Sequence, residues 1–518
     1  MSRLIEAASN YTTTENGAQT YKSTTNKVLD LFAMGGALRS ADSTRIVEMI
    51  TKAYKKDPVK TLQVLLYLRD VRQGQREKRI YREALKEILK PYIPTKGDIP
   101  RKHRAILEKV YNTTIELGSW KDITDTLPVN AYAFYVKKHM NDENSLMFKW
   151  LPSISGPKNS KAESLAKYLG MTPRQYRKWL SAKRAELKLV ETSLCKREWG
   201  NIEYDKIPSQ ASLRYREAFE RHDKDRYEEY LNKIKGGLKE AKINTATLSP
   251  SQIVKKYLNL NCENEALEVL WSNLPNYKNK DNALVIADTS GSMCDNNYGP
   301  LSIALSLALY FAEHNTGIFR DEFITFSEWP EFLKVDRSKS LHERLTIAKD
   351  ANWGMNTNFK AVFDMILKTA IDYNISEEEM PKTLYCVSDM EFDKATMVNK
   401  STNFEAIVEA YSEAGYSIPK IVFWNVNSRQ NNVPVKYNDK GVALVSGSSP
   451  SVFSMVVSGD LDPIKFMESA INKPRYLNPA TEIIEEIRRA KQRPKRKAKK
   501  GIKISYKKLK RNGIDKKR

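Results

Sequence analysis

Five short apolar runs, ALVIA (283–287), EFITF (322–326), TLYCVS (383–388), KIVFWNV (420–426) and VALVSG (442–447), alternate with helix-periodic stretches at 300–314, 340–350, 358–373 and 403–414. This alternation restricts the possible folds more than any other feature of the chain. A strand that leads through a helix to the next strand must cross over, so the spacing predicts βαβ units and a mainly parallel sheet. Upstream the pattern differs. From NKVLDLFAMGGALR to about residue 235, apolar residues recur at intervals of three and four, as in Val64, Leu65 and Leu68 or Ile80, Leu85 and Ile88, and strand alternation is absent. Breaks such as PYIPTKGDIP (91–100) and NDEN (141–144) punctuate it. Helical hairpins stacked as an all-α, HEAT-like repeat ring or arc are expected, although no fixed sequence period is visible.

At 518 residues the chain is too long for one ordinary core. The expected organisation is an irregular segment (1–25), a helical repeat domain (26–235), a helical linker containing NEALEVLWSNL (236–280), an α/β domain (281–475), and a helix with a polybasic tail (476–518). The best apolar window, LSIALSLALYFA at 301–312, is too short to span a bilayer and carries serines. The polar N-terminus lacks the apolar stretch of a signal peptide. These features place the protein in a cytoplasm, or in a virion if its source is viral, with no membrane partner. Four cysteines without CxxC spacing and five scattered histidines argue against a disulfide framework, a zinc site and histidine-based catalysis.

The net charge of +23 is uneven. Residues 488–518 hold 17 Lys/Arg against one acid, Asp515, so this tail supplies +16 and the remaining 487 residues +7. Such a polycation favours phosphate-bearing partners through counterion release, with Lys495, Arg496, Lys497, Lys499 and Lys500 as the densest stretch. A solvated tail or a targeting signal is the plainer alternative. In the helical half, RDVRQGQREKR places Arg69, Arg72, Arg76, Lys78 and Arg79 around Gly74, where guanidinium groups could fork onto phosphates. Pairing with neighbouring helices is the alternative. A stop at Gly170 and a restart at Thr172-Pro173 give helix-turn-helix grammar, with Arg174, Arg177, Lys178, Lys183 and Arg184 on the second helix. Any helical hairpin produces that pattern, so a structural hairpin with a basic outer face is the preferred reading over groove insertion. Tyr176 and Trp179 could stack bases, but packing is the commoner role; Trp120, Trp150 and Trp199 are assigned to packing.

The run ALVIA ends in Asp288, Ser290 and Ser292, three oxygen side chains at alternate positions. Ligands of open α/β sheets sit beyond the carboxyl ends of the strands. Two further oxygens fall at equivalent edges, Thr357 before the 358–373 helix and Asp389 after the strand 383–388. Carboxylates and hydroxyls without nitrogen or sulfur form the ligand set of a hard cation, Mg²⁺ or Mn²⁺. In chain order these five residues resemble the metal-ion-dependent adhesion site of von Willebrand factor A domains. That resemblance implies metal binding by Asp288, Ser290, Ser292, Thr357 and Asp389, directly or through water, with an acidic oxygen of a protein partner able to fill the open position. A hydrolytic alternative uses Asp389, Glu391 and Asp393 beside Asp288. It lacks a placed base or lysine, and Asp288-Thr-Ser290 departs from the Asp-x-Asp of haloacid-dehalogenase phosphatases.

A helical half followed by an A-type domain resembles the Ro (TROVE-module) RNA-binding proteins. A closer likeness is to an uncharacterised domain-of-unknown-function family of plants, bacteria and viruses, over about residues 15–475. It is carried by TENGAQTYKST (14–24), LRDVRQGQREKR (68–79), GSWKD (118–122), WGNIEYDKIPSQA (199–211), FERHDKDRYEEYL (219–231), SDMEFD (388–393) and VFWNVNSRQNNVPV (422–435). The Ro likeness implies a non-catalytic protein whose partner is RNA, a small structured RNA or one with single-stranded ends. A protein-interaction scaffold with only nonspecific nucleic-acid contact by its tail is the alternative.

Overall fold

In the computed structural model the described residues are 9–238, 241–260, 262–277, 282–326, 330–351, 358–393, 403–455 and 461–492. The upstream region is helical and the downstream region is built on a six-stranded, parallel-dominated sheet.

Local chemistry sets the helix boundaries. Asp57 accepts a hydrogen bond from Lys60 N and Pro58 occupies the first turn, which starts the Pro58–Arg69 helix. Thr172 and Gln175 form a reciprocal capping box at the start of Pro173–Glu186, after Gly170 has turned the chain with φ +74°. The Lys27–Gly35 and Pro58–Arg69 helices are buried on nearly every side.

Strands β3 (Ala283–Asp288), β4 (Glu322–Phe326), β5 (Glu331–Lys334), β6 (Thr383–Ser388), β7 (Lys420–Asn425) and β8 (Val442–Ser446) lie in the order β5-β4-β3-β6-β7-β8. All neighbours are parallel except β4 with β5. β3 and β6 are buried at every position, as expected of central strands covered by helices on both faces. From β3 the chain moves to one side of the sheet and from β6 to the other, so the order reverses between these two strands. That reversal is the switch point at which an α/β sheet opens a crevice. The Asp295–His314 helix is apolar nearly all round because it is sandwiched between β3 and the Pro250–Leu260 helix. Its serines are satisfied locally: Ser302 and Ser306 donate to the carbonyls of Gly299 and Ile303.

The sequence-derived picture changes in four places. β5 pairs antiparallel with β4; the EFLK run is too short to show a period. Residues 9–25 are not wholly irregular, since β1 (Tyr11–Thr13) and β2 (Gln19–Tyr21) form a hairpin whose turn carries Asn16-Gly17, with Gly17 at φ +84°. Part of the stretch expected as a linker covers one face of the sheet domain as the Pro250–Leu260 helix. Finally, one hydrophobic core runs through both regions, with a smaller second core around Tyr204, Phe219 and Tyr227.

The contact between the regions is close. Gly36 N donates to Ser446 Oγ (2.8 Å), and Ser446 Oγ donates to the Phe32 carbonyl (2.8 Å). A Cβ on Gly36 would stand 2.6 Å from the Ser446 backbone, so only glycine lets the helix end seat on β8. The Pro474–Lys491 helix returns from the sheet domain to pack against Pro58–Arg69 and Arg101–Leu117.

Candidate cation site and basic surfaces

Asp288 is the last residue of β3 and Asp389 directly follows β6, so the switch point brings together two carboxylates 101 positions apart in the sequence. Both are buried. Asp288 Oδ1 accepts from Ser290 N (2.9 Å), which folds the loop back over the strand end, and Oδ2 accepts from Ser388 Oγ (2.6 Å). Ser290 Oγ lies 3.1 Å from Ser292 Oγ, and Ser292 hydrogen-bonds Asp389. Four of the five residues expected from the sequence therefore converge. The fifth, Thr357, lies outside the described residues.

The electrostatics of this cluster are strained. Burial pushes the Asp288 carboxyl up to about 7, Asp389 adds to the rise, and the hydrogen bonds from Ser388 and Ser290 oppose it. Asp389 is raised by burial, with the nearby Arg429 pulling the other way. Glu391 is raised by burial too, and Asp389 contributes. Asp389 Oδ2 stands 3.0 Å from Arg429 Nη2, but the approach lacks hydrogen-bond geometry and leaves this buried oxygen without a donor. Met390, next in the chain, is held at φ +67°, a backbone strain of the kind found at ligand sites. A buried pair of carboxylates with hydroxyls around it and an undonated oxygen fits a hard cation, which would add to the single positive charge of Arg429.

The Glu391 side chain accepts from Glu15 N (2.7 Å) and from Asn432 Nδ2 (3.2 Å to each oxygen), while Asp393 bridges to Gly17. Glu391 and Asp393, two of the residues assigned to the hydrolytic alternative, thus lie on the loop where the N-terminal hairpin docks. Asn425 and Asn427 lie at the end of β7, where Asn425 Oδ1 accepts from Asn427 N in a local turn. Sequence reasoning missed Glu15 and Arg429. The Asn-Gly dipeptide signals the hairpin that carries Glu15, but nothing local marks where that hairpin lands; Arg429 is a single arginine in a loop.

The basic candidates divide sharply. Arg69 is a correction: it is buried and pairs with Asp122 through Nε (2.8 Å) and Nη2 (2.5 Å), so it cannot reach a phosphate. Arg76 is a second correction. Its guanidinium donates to the carbonyls of Val71 (3.0 Å), Ala246 (3.2 Å) and Leu248, stapling the loop onto residues 246–248. Arg184 is a third, because it binds the carbonyls of Phe148 (2.9 Å) and Leu151 (2.7 Å) and the Ser153 hydroxyl (2.7 Å). Arg79 donates to the Arg39 carbonyl (2.8 Å), and Arg72, exposed, to that of Glu116 (2.9 Å). Lys183 pairs with Glu186 (3.1 Å) beside the Phe148 ring. Arg174, Arg177 and Lys178 are exposed, and Lys78 keeps exposed surface although its ammonium end is partly desolvated. Tyr176 is buried with its hydroxyl on the Pro152 carbonyl (2.9 Å) and offers no face to a base, whereas Trp179 is half-buried and packs at right angles against Phe148. Lys495, Arg496, Lys497, Lys499 and Lys500 lie outside the described residues.

A different group of cations gathers around the Trp120–Thr126 helix of the GSWKD stretch. Asp122 pairs with Arg69 and Arg82 (2.9 Å), and Asp125 with Arg82 (3.5 Å), Lys121 (4.0 Å) and Lys158. Lys161 donates to the Thr124 carbonyl (3.0 Å). The Lys78 ammonium is pushed down by burial and by Arg69, Arg82 and Lys121, with Asp122 opposing. The ammonium groups of Lys121 and Lys149 each lie 5.5 Å from the half-buried Trp150 ring.

Among the described residues no helix is long and apolar enough to cross a membrane. Over 91% of its length the chain is similar to "Uncharacterized protein L728" of Acanthamoeba polyphaga mimivirus, 27% identical over 529 residues and covering 88% of that protein. The crystal structure of the Deinococcus radiodurans Ro (RSR) protein aligns with 83% of this chain and 99% of that one, at 13% identity and a TM-score of 0.34. Residues 282–501 match a family described as Domain of unknown function (DUF7788). Matched in two adjoining stretches, 14–146 and 146–287, the chain belongs to the family described as Domain of unknown function (DUF2828).

Proposed function

We propose that the chain is a non-catalytic RNA-binding protein whose helical half holds phosphates and whose sheet domain, of the von Willebrand factor A type, docks a protein partner through a divalent cation. The observation that carries the RNA reading is the charge imbalance at the Trp120–Thr126 helix. Arg69, Lys78, Arg82, Lys121, Lys158 and Lys161 gather around Asp122 and Asp125, with Glu77 as a third carboxylate near Arg69 and Lys78, so the cations outnumber the acids two to one. A surplus of this kind attracts a polyanion, and the adjacent Trp150 ring suits an unstacked base. Arg72, Lys78, Arg174, Arg177 and Lys178, all with exposed surface, and the partly exposed Arg79 and Lys183 complete the set of phosphate contacts, with the basic tail as a further one. Mg²⁺ or Mn²⁺ would be held by Asp288, Ser290, Ser292 and Asp389, with Thr357 as the fifth oxygen; the ion supplies a fixed positive charge able to accept an acidic side chain of the partner.

The test is binding of a single-stranded RNA, followed by fluorescence anisotropy across a series of salt concentrations. Lys78→Glu combined with Lys121→Glu should reduce the steepness of log K against log salt by about 1.4, as expected for two lost phosphate contacts on a single strand. Arg174→Glu should act in the same direction, and Arg184→Ala should leave the slope unchanged. Absence of RNA binding, or an unaltered slope in the double variant, rejects the reading. The scaffold reading draws support from the internal carbonyl partners of Arg76, Arg79 and Arg184; it expects a protein partner that resists high salt and leaves when a chelator is added.

A further inference from the structure

The turn of the N-terminal hairpin is clasped to the loop that carries Asp389. Thr14 Oγ1 donates to the Phe392 carbonyl (2.6 Å), Glu15 N to Glu391 Oε2 (2.7 Å) and Asn16 Nδ2 to the Glu391 carbonyl (2.7 Å). Gly17 bridges to Asp393 and Tyr21 to Val433. These bonds place the Glu15 carboxylate beside Arg429, whose Nη1 lies 2.7 Å from Glu15 Oε2 while Nη2 lies 3.0 Å from Asp389 Oδ2. One guanidinium therefore spans two carboxylates. Asp389 has no exposed side-chain surface, whereas Arg429 is 25% and Glu15 35% exposed. The buried end of this bridge is the candidate cation ligand and the outer end is the hairpin.

A buried carboxylate needs a counter-charge, and a protein that leaves it without one is destabilised. Arg429 provides that charge from the outside edge of the site. A divalent cation approaching Asp389 meets a guanidinium already at ion-pair distance, and the two positive charges repel. The guanidinium has a second carboxylate within reach, so it can give up Asp389 without losing every partner. Resting on the cation reading above, we infer that Arg429 is a tethered counter-ion which a divalent cation displaces from Asp389, and that Glu15 of the N-terminal hairpin is the seat that retains it. The hairpin then sets how easily the site loads, although it contributes no ligand.

Calorimetric titration of the full-length chain with Mg²⁺ tests this through a double-mutant cycle. Arg429→Gln removes the competitor and binds Mg²⁺ about tenfold more tightly than the wild type. Glu15→Gln leaves Asp389 as the one carboxylate at ion-pair distance from Arg429, with Glu391 acting on it from farther off, and binds about tenfold more weakly. In the Arg429→Gln background the Glu15→Gln effect shrinks to little, because the seat has nothing left to hold. Arg429→Lys keeps the charge but spans only one carboxylate, so it falls between wild type and Arg429→Gln; it also serves if the glutamine variant does not fold. Hydrogen exchange of the hairpin amides gives a readout independent of affinity, with faster exchange at the Glu15 turn in metal-free Arg429→Gln. Unchanged or weaker Mg²⁺ binding by Arg429→Gln and Arg429→Lys, or an undiminished Glu15→Gln effect in the double variant, overturns the inference while the cation reading stands. No Mg²⁺ binding by the wild type or by any variant overturns the cation reading, and the inference with it.

Discussion

The Arg69–Arg79 segment and the Asp288–Ser292 loop with Asp389 are both dense in charge, and in the sequence both read as places for a ligand. In the folded chain they differ in how that charge is satisfied. Arg69 meets Asp122, Asp70 accepts from Arg475 Nε (2.6 Å) and Tyr476 Oη (3.0 Å), Gln75 Nε2 donates to Tyr67 Oη (2.7 Å), and Arg76 takes three carbonyls. Every one of these partners is internal, and those of Asp70 and Arg76 join the helical half to the elements that follow it. At the sheet edge two buried carboxylates face each other, one of their oxygens lacks a donor, and their proton affinities are raised. A charge answered by its own fold is a fastener. A charge left partly unanswered is where an external ion is wanted.

The largest effect that would break this contrast concerns Arg69. Arg69→Ala leaves Asp122 as a buried carboxylate short of its main partner and should destabilise the protein by about 3–5 kcal/mol in denaturant unfolding. A loss below about 1 kcal/mol would show the segment to be a surface feature after all.

A second expectation separates the two loops by pH. Asp288, Asp389 and Glu391 are all raised in the folded state, so the native protein binds their protons more tightly than the unfolded chain does. For Asp288 the stabilisation is complete below the ordinary carboxyl value of 3.8 and is lost as pH rises through about 7. In chelator the unfolding midpoint should fall across that range. Mg²⁺ at about one hundred times its Kd should restore about 2.7 kcal/mol at neutral pH and flatten the curve, and Asp288→Ala should remove the Mg²⁺ effect. The same pH slope with and without Mg²⁺ would contradict this.

The smallest effect sharpens the contrast. Arg76→Ala removes charge-assisted bonds to carbonyls and should cost about 2 kcal/mol of stability, with the salt slope of RNA binding unchanged. A reduced slope without destabilisation would return Arg76 to the phosphate-binding candidates.

Period and punctuation made most of the architecture legible. EFITF and TLYCVS coincide with β4 and β6, and the helix that begins at Pro173 follows the Thr172-Pro173 restart. The convergence of Asp288, Ser290, Ser292 and Asp389 was readable because each oxygen marks the end of a recognisable strand or the loop after one, and a parallel sheet collects such ends at a single edge. What a sequence conceals is which partner answers a charge. Arg69 and Arg72 look alike three residues apart, yet one is buried against Asp122 and the other is exposed. The landing of the hairpin on Glu391 joins residues 376 positions apart and leaves no local signature beyond the Asn-Gly turn. For the same reason Glu15 and Arg429 could not be assigned to the cation site in advance.

Anomalous diffraction from crystals of the full chain soaked in Mn²⁺ would test the central claim most directly. The account predicts one strong peak among the carboxylate and hydroxyl oxygens of Asp288, Ser290, Ser292 and Asp389, absent from the Asp288→Ala protein. A map without a peak there, with Arg429 still seated on Asp389 at saturating Mn²⁺, would contradict it.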